Sequence, residues 1–211
     1  MSDSTDRPST RREEYAEATR QAIVDAARQL FCQNGYFATK VEHIAKLARV
    51  SPATVYAVAG GKQGLLRTLM EIGTTASAVA TTMEAISRSA DPDEIIDLLA
   101  KGVRIVREEF GDTLRLIVET APHEDSAGET WAAATQRYRA ALATPAHRLA
   151  DLNALREGIT RQDAIDILWF YFGYAGLSTL VLENGWSFDK AEIWLAGEAR
   201  RALLKKGRGG A

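Results

Sequence analysis

Apolar positions along this chain recur at spacings of three and four and rarely alternate, which predicts helices and no sheet. Tyr15, Ala22, Ile23, Ala26, Ala27, Leu30 and Phe31 form one such stripe. They predict a helix from about Glu13 to Asn34, stopped by Gly35. Thr39 and Glu42 read as a capping box, so a short helix starts at Lys40. Val41, Ile44, Ala45 and Ala48 share one of its faces, leaving Lys40, His43, Lys46 and Arg49 outward. A three-residue corner, Arg49-Val50-Ser51, follows, and Ser51 with Pro52 opens the next helix as N-cap and first-turn residues.

So short a corner makes two helices cross steeply and displays the second, the arrangement of a helix-turn-helix. Ser51, Pro52, Ala53 and Thr54 are small enough to approach a base edge or phosphate, while Val55 faces inward. Tyr56 offers a hydroxyl to phosphate, and Lys62 lies near the start of the following helix, where amides and an ammonium suit an anion. Thr39, Lys40, Ser51, Pro52, Ala53, Thr54, Tyr56 and Lys62 are therefore the candidate contacts to a double-stranded DNA operator. The competing reading is an ordinary helical corner.

Farther on, Leu65, Leu69, Ile72, Ala76, Val79, Met83 and Ile86 predict a long linking helix. Asp91, Pro92 and Glu94 cap another, with Ile95, Leu99, Val103, Val106 and Phe110 inward. A shorter segment, Leu114 to Ala121, is expected to end at Pro122, followed by a loop from His123 to Glu129. Trp131, Ala134, Tyr138 and Leu142 begin a helix that Pro145 should interrupt. Thr160 and Asp163 resemble a capping box before Ile165–Leu182, which is apolar on nearly every side and needs cover all round. Asn184-Gly185 ends it, and a last helix runs from Ser187 to Leu204.

Composition narrows the function. Across 211 residues, 46% hydrophobic, no apolar run is long enough for a membrane span, and no signal peptide opens the chain. A soluble protein without membrane contact is expected, in the cytoplasm. The net charge of −2 is unevenly spread: residues through Met70 hold ten Lys and Arg against seven Asp and Glu, so the basic excess sits with the helix-turn-helix. Cys32 is the single cysteine, which excludes an intrachain disulfide and reads as a small semi-buried residue rather than a redox sensor. His43, His123 and His147 are scattered. No catalytic motif, metal-ligand cluster or cofactor fingerprint is present, and Gly60-Gly61-Lys62 lacks the rest of a phosphate loop. The chain is expected to be no enzyme and to need no cofactor.

Two further sites suggest themselves. Phe110, Trp131, Tyr138, Trp169, Phe172 and Tyr174 are material for an apolar small-molecule pocket, with His123 or His147 available to orient a polar group, although such stripes are more often plain core. Gly173, Ala175 and Gly176 permit close approach of another helix, and with Leu180 and Trp194 they mark a candidate homodimer interface.

The run Ile23–Phe31, then Asn34-Gly35-Tyr36, Ala38-Thr39, Ile44-Ala45, Val50-Ser51, Thr54-Val55-Tyr56 and Lys62 with Leu65-Leu66 resembles the amino-terminal domain of the TetR family of bacterial transcriptional regulators. Arg49 stands where the family usually has glycine, so either it accepts a left-handed conformation or the corner differs. Ala57, Val58 and Ala59 replace larger residues, Gly60-Gly61 replaces the usual turn, and Lys40 replaces a common threonine. The operator sequence is the property these departures affect.

The resemblance implies an all-α protein in which an N-terminal three-helix helix-turn-helix domain, residues 15–62, precedes a helical ligand-binding and dimerisation domain, residues 63–206. Residues 1–14 are expected to form a disordered arm, solvated or touching the minor groove, and 207–211 a disordered tail. It further implies two terminal helices pairing with a second subunit, and a homodimeric repressor that a small apolar effector releases from a palindromic operator. An activator or co-repressor-dependent form of the same fold stays open. So does a helical carrier or enzyme without DNA-binding function.

Overall fold

The computed structural model describes residues 11–74 and 77–205. Most of the expected N-terminal arm, Ala76 of the linking stripe and the 207–211 tail lie outside them. Among the described residues the chain is helical throughout, apart from turns and one isolated antiparallel bridge between Leu155 and Leu204. The helices are α1 (Arg11–Asn34), α2 (Val41–Leu47), α3 (Pro52–Ala59), α4 (Gly61–Thr74), α5 (Ser77–Arg88), α6 (Pro92–Thr120), α7 (Asp125–Ala141), α8 (Ala143–Asp151), α9 (Arg161–Phe172), α10 (Tyr174–Ser178) and α11 (Phe188–Leu203).

They form two compact units. One contains the chain through Glu71 together with Asp112–Trp131; the other contains Ile72–Gly111 and the chain from Ala132. This division departs from the sequence boundary at residue 62, because 63–71 and 112–131 group with the helix-turn-helix.

In the first unit Ile23, Ala27, Phe31, Ile44, Val55 and Leu65 are fully buried. Gly35 stops α1 with φ +80° while its amide donates to the Phe31 carbonyl at 2.9 Å. Tyr15 and Ala22, expected on the core face, are exposed, and Val24 is buried instead. The inward stripe thus begins at Ile23 and serves only the part of α1 that has helices to pack on.

The second unit is built around Ile86, Ile95, Ile96, Leu99, Leu142, Leu149, Leu168, Phe172, Leu195 and Leu203. Helix α6 does not break after Phe110, as the sequence pattern suggested. It runs 29 residues, through Gly111, because a single glycine lowers helix propensity without removing a hydrogen bond. The expected loop at 123–129 shrinks to a 3-10 turn, Ala121–His123, before α7 begins at Asp125. Pro145 lies buried in the first turn of α8, where a proline nitrogen is tolerated, and the chain breaks between α7 and α8 at Leu142.

The reading that no apolar run could span a membrane is corrected. Arg161–Glu183 is 23 residues long and contains an 18-residue stretch with a mean hydropathy of 1.5, enough by length and composition alone. It is not one regular helix: Gly173 separates α9 from α10, and Thr179–Glu183 adds a π-helical turn. The Thr160–Asp163 capping box is formed, with the Thr160 amide donating to Asp163 Oδ2 at 2.9 Å and the Asp163 amide to Thr160 Oγ1 at 3.1 Å.

Candidate functional site

The helix-turn-helix is assembled by local chemistry at both of its joints. Helix α2 ends in a Schellman turn: the Val50 amide donates to the Ala45 carbonyl at 2.9 Å and the Arg49 amide to Lys46 at 3.3 Å. This geometry demands a left-handed residue, and Arg49 supplies it with φ +58°. Of the two alternatives posed by the missing glycine, the left-handed one holds. Ser51 then caps α3, its Oγ accepting from the Thr54 amide at 3.1 Å and lying 2.8 Å from Thr54 Oγ1. Pro52 occupies the first turn, and Gly60, with φ +69°, closes the helix through its amide to Tyr56.

Val55 is fully buried and sets the rotation of α3, so Ser51, Pro52, Ala53 and Tyr56 are displayed on its open side. Tyr56 is 58% exposed. Thr54 is half-buried, and its hydroxyl is engaged with Ser51. Lys40 is exposed at the N-cap of α2.

Thr39 behaves otherwise. The expected capping box with Glu42 is absent: α2 starts at Val41, and Lys40, not Thr39, is its N-cap. Thr39 is 1% exposed, with its hydroxyl 2.8 Å from the Gly35 carbonyl and 3.2 Å from that of Leu30. Two carbonyl acceptors hold its buried hydroxyl better than one solvent-facing amide, so it ties α1 to the start of α2 and does not face a ligand.

Lys62 is half-buried, its ammonium 4.3 Å from the centroid of the Tyr36 ring. Burial lowers its pKa, with the Glu124 carboxylate working in the opposite direction. The same Glu124 accepts from Gln63 Nε2 at 3.1 Å. Burial also raises the Tyr36 phenol to about 12, with Glu124 adding to the effect. His123, considered for a ligand role, stacks edge-on against Phe37 at 6.4 Å. His147 is exposed.

The six pocket candidates divide. Tyr138, Trp169, Phe172 and Tyr174 lie in the second unit with Phe110, whereas Trp131 belongs to the first. The Tyr138 and Trp169 rings meet edge-to-face at 5.6 Å, and the Tyr138 hydroxyl donates to the Phe172 carbonyl at 2.7 Å. Phe110 and Phe172 are buried, so those two read as core. What the sequence pattern missed is Arg107, which is only 9% exposed and whose guanidinium carbon lies 5.3 Å from the Tyr174 ring centroid. A signal was available: Arg107 stands four residues after Val103 and three before Phe110, on the apolar face of α6.

The interface candidates also change meaning. A Cβ on Gly176 would lie 2.5 Å from the Tyr171 carbonyl oxygen, and one on Gly173 would lie 2.3 Å from that of Trp169. These glycines answer to their own backbone at the joint between α9 and α10 and are not evidence of a second helix. Leu180 is buried, but Trp194 is exposed, with Trp186 edge-on to it at 5.9 Å. Phe170 and Ile193, both 73% exposed, stand outside the candidate interface set, although Phe170 sits in the apolar stretch Ile165–Leu182.

Comparison with known proteins places these features. Residues 23–69 match the family profile described as bacterial regulatory proteins, tetR family. The uncharacterized HTH-type transcriptional regulator YvkB of Bacillus subtilis (strain 168) is 34% identical over 90 residues. That match spans 43% of this chain and 44% of YvkB, less than half of either. Among solved structures, NalD, the secondary repressor of the MexAB-OprM multidrug efflux pump in Pseudomonas aeruginosa, superposes with a TM-score of 0.73 at 23% identity, over 92% of this chain and all of that one. SmeT in its triclosan complex gives 0.73 at 18% identity, over 90% and 93%. At these identities the two structures show a common fold.

Proposed function

Residues 23–69 belong to the TetR family of bacterial regulatory proteins, and on that premise we propose that the chain is a DNA-binding transcriptional regulator acting in the cytoplasm as a homodimer. The carrying observation is the presentation of α3. Its first turn is small, capped by Ser51 and exposed, its inner side is locked by Val55, and Tyr56 extends from the same open side. Small residues at the start of such a helix let the backbone approach base edges, and Tyr56, Lys40 and Lys62 supply phosphate contacts. Thr39 supports this surface from behind.

The dimer rests on uncovered apolar surface. Phe170, Leu182, Ile193 and Trp194 are all exposed, and only 28% of the most apolar 18-residue stretch within Arg161–Glu183 is buried within the chain. Large exposed apolar patches mark interaction sites, and a two-fold symmetric pair would present two recognition helices to a palindromic operator. NalD is described as a repressor and SmeT was solved in complex with triclosan. By analogy, this chain represses transcription and is released when an effector binds the second unit.

Fluorescence anisotropy on the DNA flanking the coding region tests the reading. A duplex carrying an inverted repeat is expected to bind two protomers, with affinity falling steeply as salt rises, and a scrambled duplex to bind far more weakly. Equal binding to both would remove the regulator assignment and leave a carrier or enzyme as the alternative.

A further inference from the structure

Arg104 and Arg107 sit one turn apart on α6 and live in opposite circumstances. Arg104 meets three carboxylates, those of Glu108, Asp189 and Glu192, as a surface guanidinium should. Arg107 is buried, and among the described residues no carboxylate pairs with it and its Nε has no hydrogen-bond partner. Its surroundings are aromatic. The Tyr174 ring lies beneath it, and Tyr138 is close enough to influence its charge. The Tyr138 hydroxyl proton is already committed to the Phe172 carbonyl. One turn before Tyr138 on α7, Thr135 Oγ1 is a second buried polar atom without a partner among the described residues.

A guanidinium cannot shed its charge near neutral pH, and burying it unpaired is among the costliest arrangements a core can contain. Stacking on a phenol ring offsets part of that cost but satisfies none of its hydrogen-bond donors. A buried donor left without a partner, as Arg107 Nε is, calls for one, and a ligand's acid group can supply it.

We propose that Arg107 is the anchor for a carboxylate, and that the effector of the second unit is therefore an amphipathic organic acid, with its acid group on Arg107 and its apolar body among the aromatic residues around Tyr138 and Tyr174. This rests on the regulator reading only in calling the ligand an effector. It replaces a purely apolar effector with an anionic one. The planar fork of arginine matches the two oxygens of a carboxylate, and a site built to pair a charge discriminates strongly against the neutral isostere.

Matched probes test it: decanoate against decan-1-ol, and 4-phenylbutanoate against 4-phenylbutan-1-ol, titrated calorimetrically into the full-length protein and followed by thermal melting. Both acids are expected to raise the melting temperature and to bind at least about tenfold more tightly than their alcohols. Arg107→Met, which keeps an unbranched apolar stem and removes the charge, should abolish that preference while melting no lower than wild type. Arg107→Lys should retain part of it.

Failure of both acids to bind wild type, equal binding of acid and alcohol, or an acid preference that survives in Arg107→Met would each overturn the proposal. Should Arg107→Met fail to fold, a folded Arg107→Gln takes its place: loss of the acid preference there supports the site, and its survival overturns it. Operator binding is measured apart from these titrations. Arg107-dependent acid binding with no effect on DNA affinity would sustain the carboxylate site and overturn the regulatory reading alone.

Discussion

The Lys62 ammonium rests over the Tyr36 ring, 4.3 Å from its centroid, at the entry to α4. Both residues belong to the unit that carries the helix-turn-helix, so the lysine is held by the core that positions α3 and is not a free surface arm. An ammonium held in this way would meet a phosphate at little further entropic cost. Lys62→Met is expected to weaken binding to every DNA sequence and to lower the salt slope by about 1, while costing the fold no more than about 1 kcal/mol from the lost cation–π contact. Unchanged affinity and slope on the wild-type operator would remove Lys62 from the interface.

Arg49 holds a left-handed backbone that glycine adopts freely. The strain of about 1–2 kcal/mol for a side-chain-bearing residue is partly offset by the greater freedom glycine has when unfolded. Arg49→Gly should therefore stabilise the protein by about 0.5–1 kcal/mol, raising its melting temperature by roughly 1–4 °C. A lower melting temperature would mean that the arginine side chain contributes more than its backbone costs.

Asp112 joins Arg28 through two hydrogen bonds, Oδ1 to Nη2 at 2.8 Å and Oδ2 to Nε at 3.1 Å, and Cys32 Sγ lies 3.6 Å from Oδ2. Burial alone would raise the carboxyl pKa, but Arg28, the Thr113 amide and the Cys32 thiol together bring it below the usual aspartate value. A depressed folded pKa contributes stability above the unfolded value of about 3.9 and loses it as pH falls through the folded value. Asp112→Asn should cost about 0.5–1 kcal/mol at neutral pH, the pair being partly exposed, and the difference from wild type should shrink in urea melts as pH falls below the unfolded value of about 3.9.

The same neighbourhood silences Cys32. Burial and the Asp112 charge push the thiol up to about 11 against the opposing pull of Arg28. Iodoacetamide at pH 8 should alkylate it on the order of a hundredfold more slowly than a free cysteine, and Asp112→Asn should speed the reaction. Alkylation at the rate of a free thiol would restore the redox-sensor reading.

Phe170→Glu and Ile193→Glu place charges on the uncovered face of α9 and α11 without touching either core. Each is expected to sediment as a folded monomer at micromolar concentration, where wild type sediments as a dimer. A stable wild-type monomer would remove the interface. Gly176→Leu acts differently, because its side chain would strike the Tyr171 carbonyl of the same chain. It should lower stability by about 1–3 kcal/mol whether or not protomers associate.

What the sequence determined by itself was whatever a few neighbouring residues decide. The Ser51-Pro52 start of α3, the Thr160–Asp163 box, the stop at Gly35 and the break near Pro145 are all closed by bonds or steric limits spanning a handful of positions, so spacing alone reveals them. Tertiary structure decided everything for which local patterns offered more than one partner. Thr39 had a local acceptor role open to it, but the carbonyls of Leu30 and Gly35, brought close by the turn between α1 and α2, took its hydroxyl inward. The pattern separated Phe110 from a shorter segment at Leu114, and α6 runs unbroken through both. Gly173 and Gly176 looked like a bed for a partner helix and proved to be required by their own backbone. Arg107 was one charge among twenty-six lysines and arginines until the fold buried it beside Tyr138 of α7 and Tyr174 of α10. Burial is a property of what packs against a residue, and a chain's local pattern does not contain that neighbour.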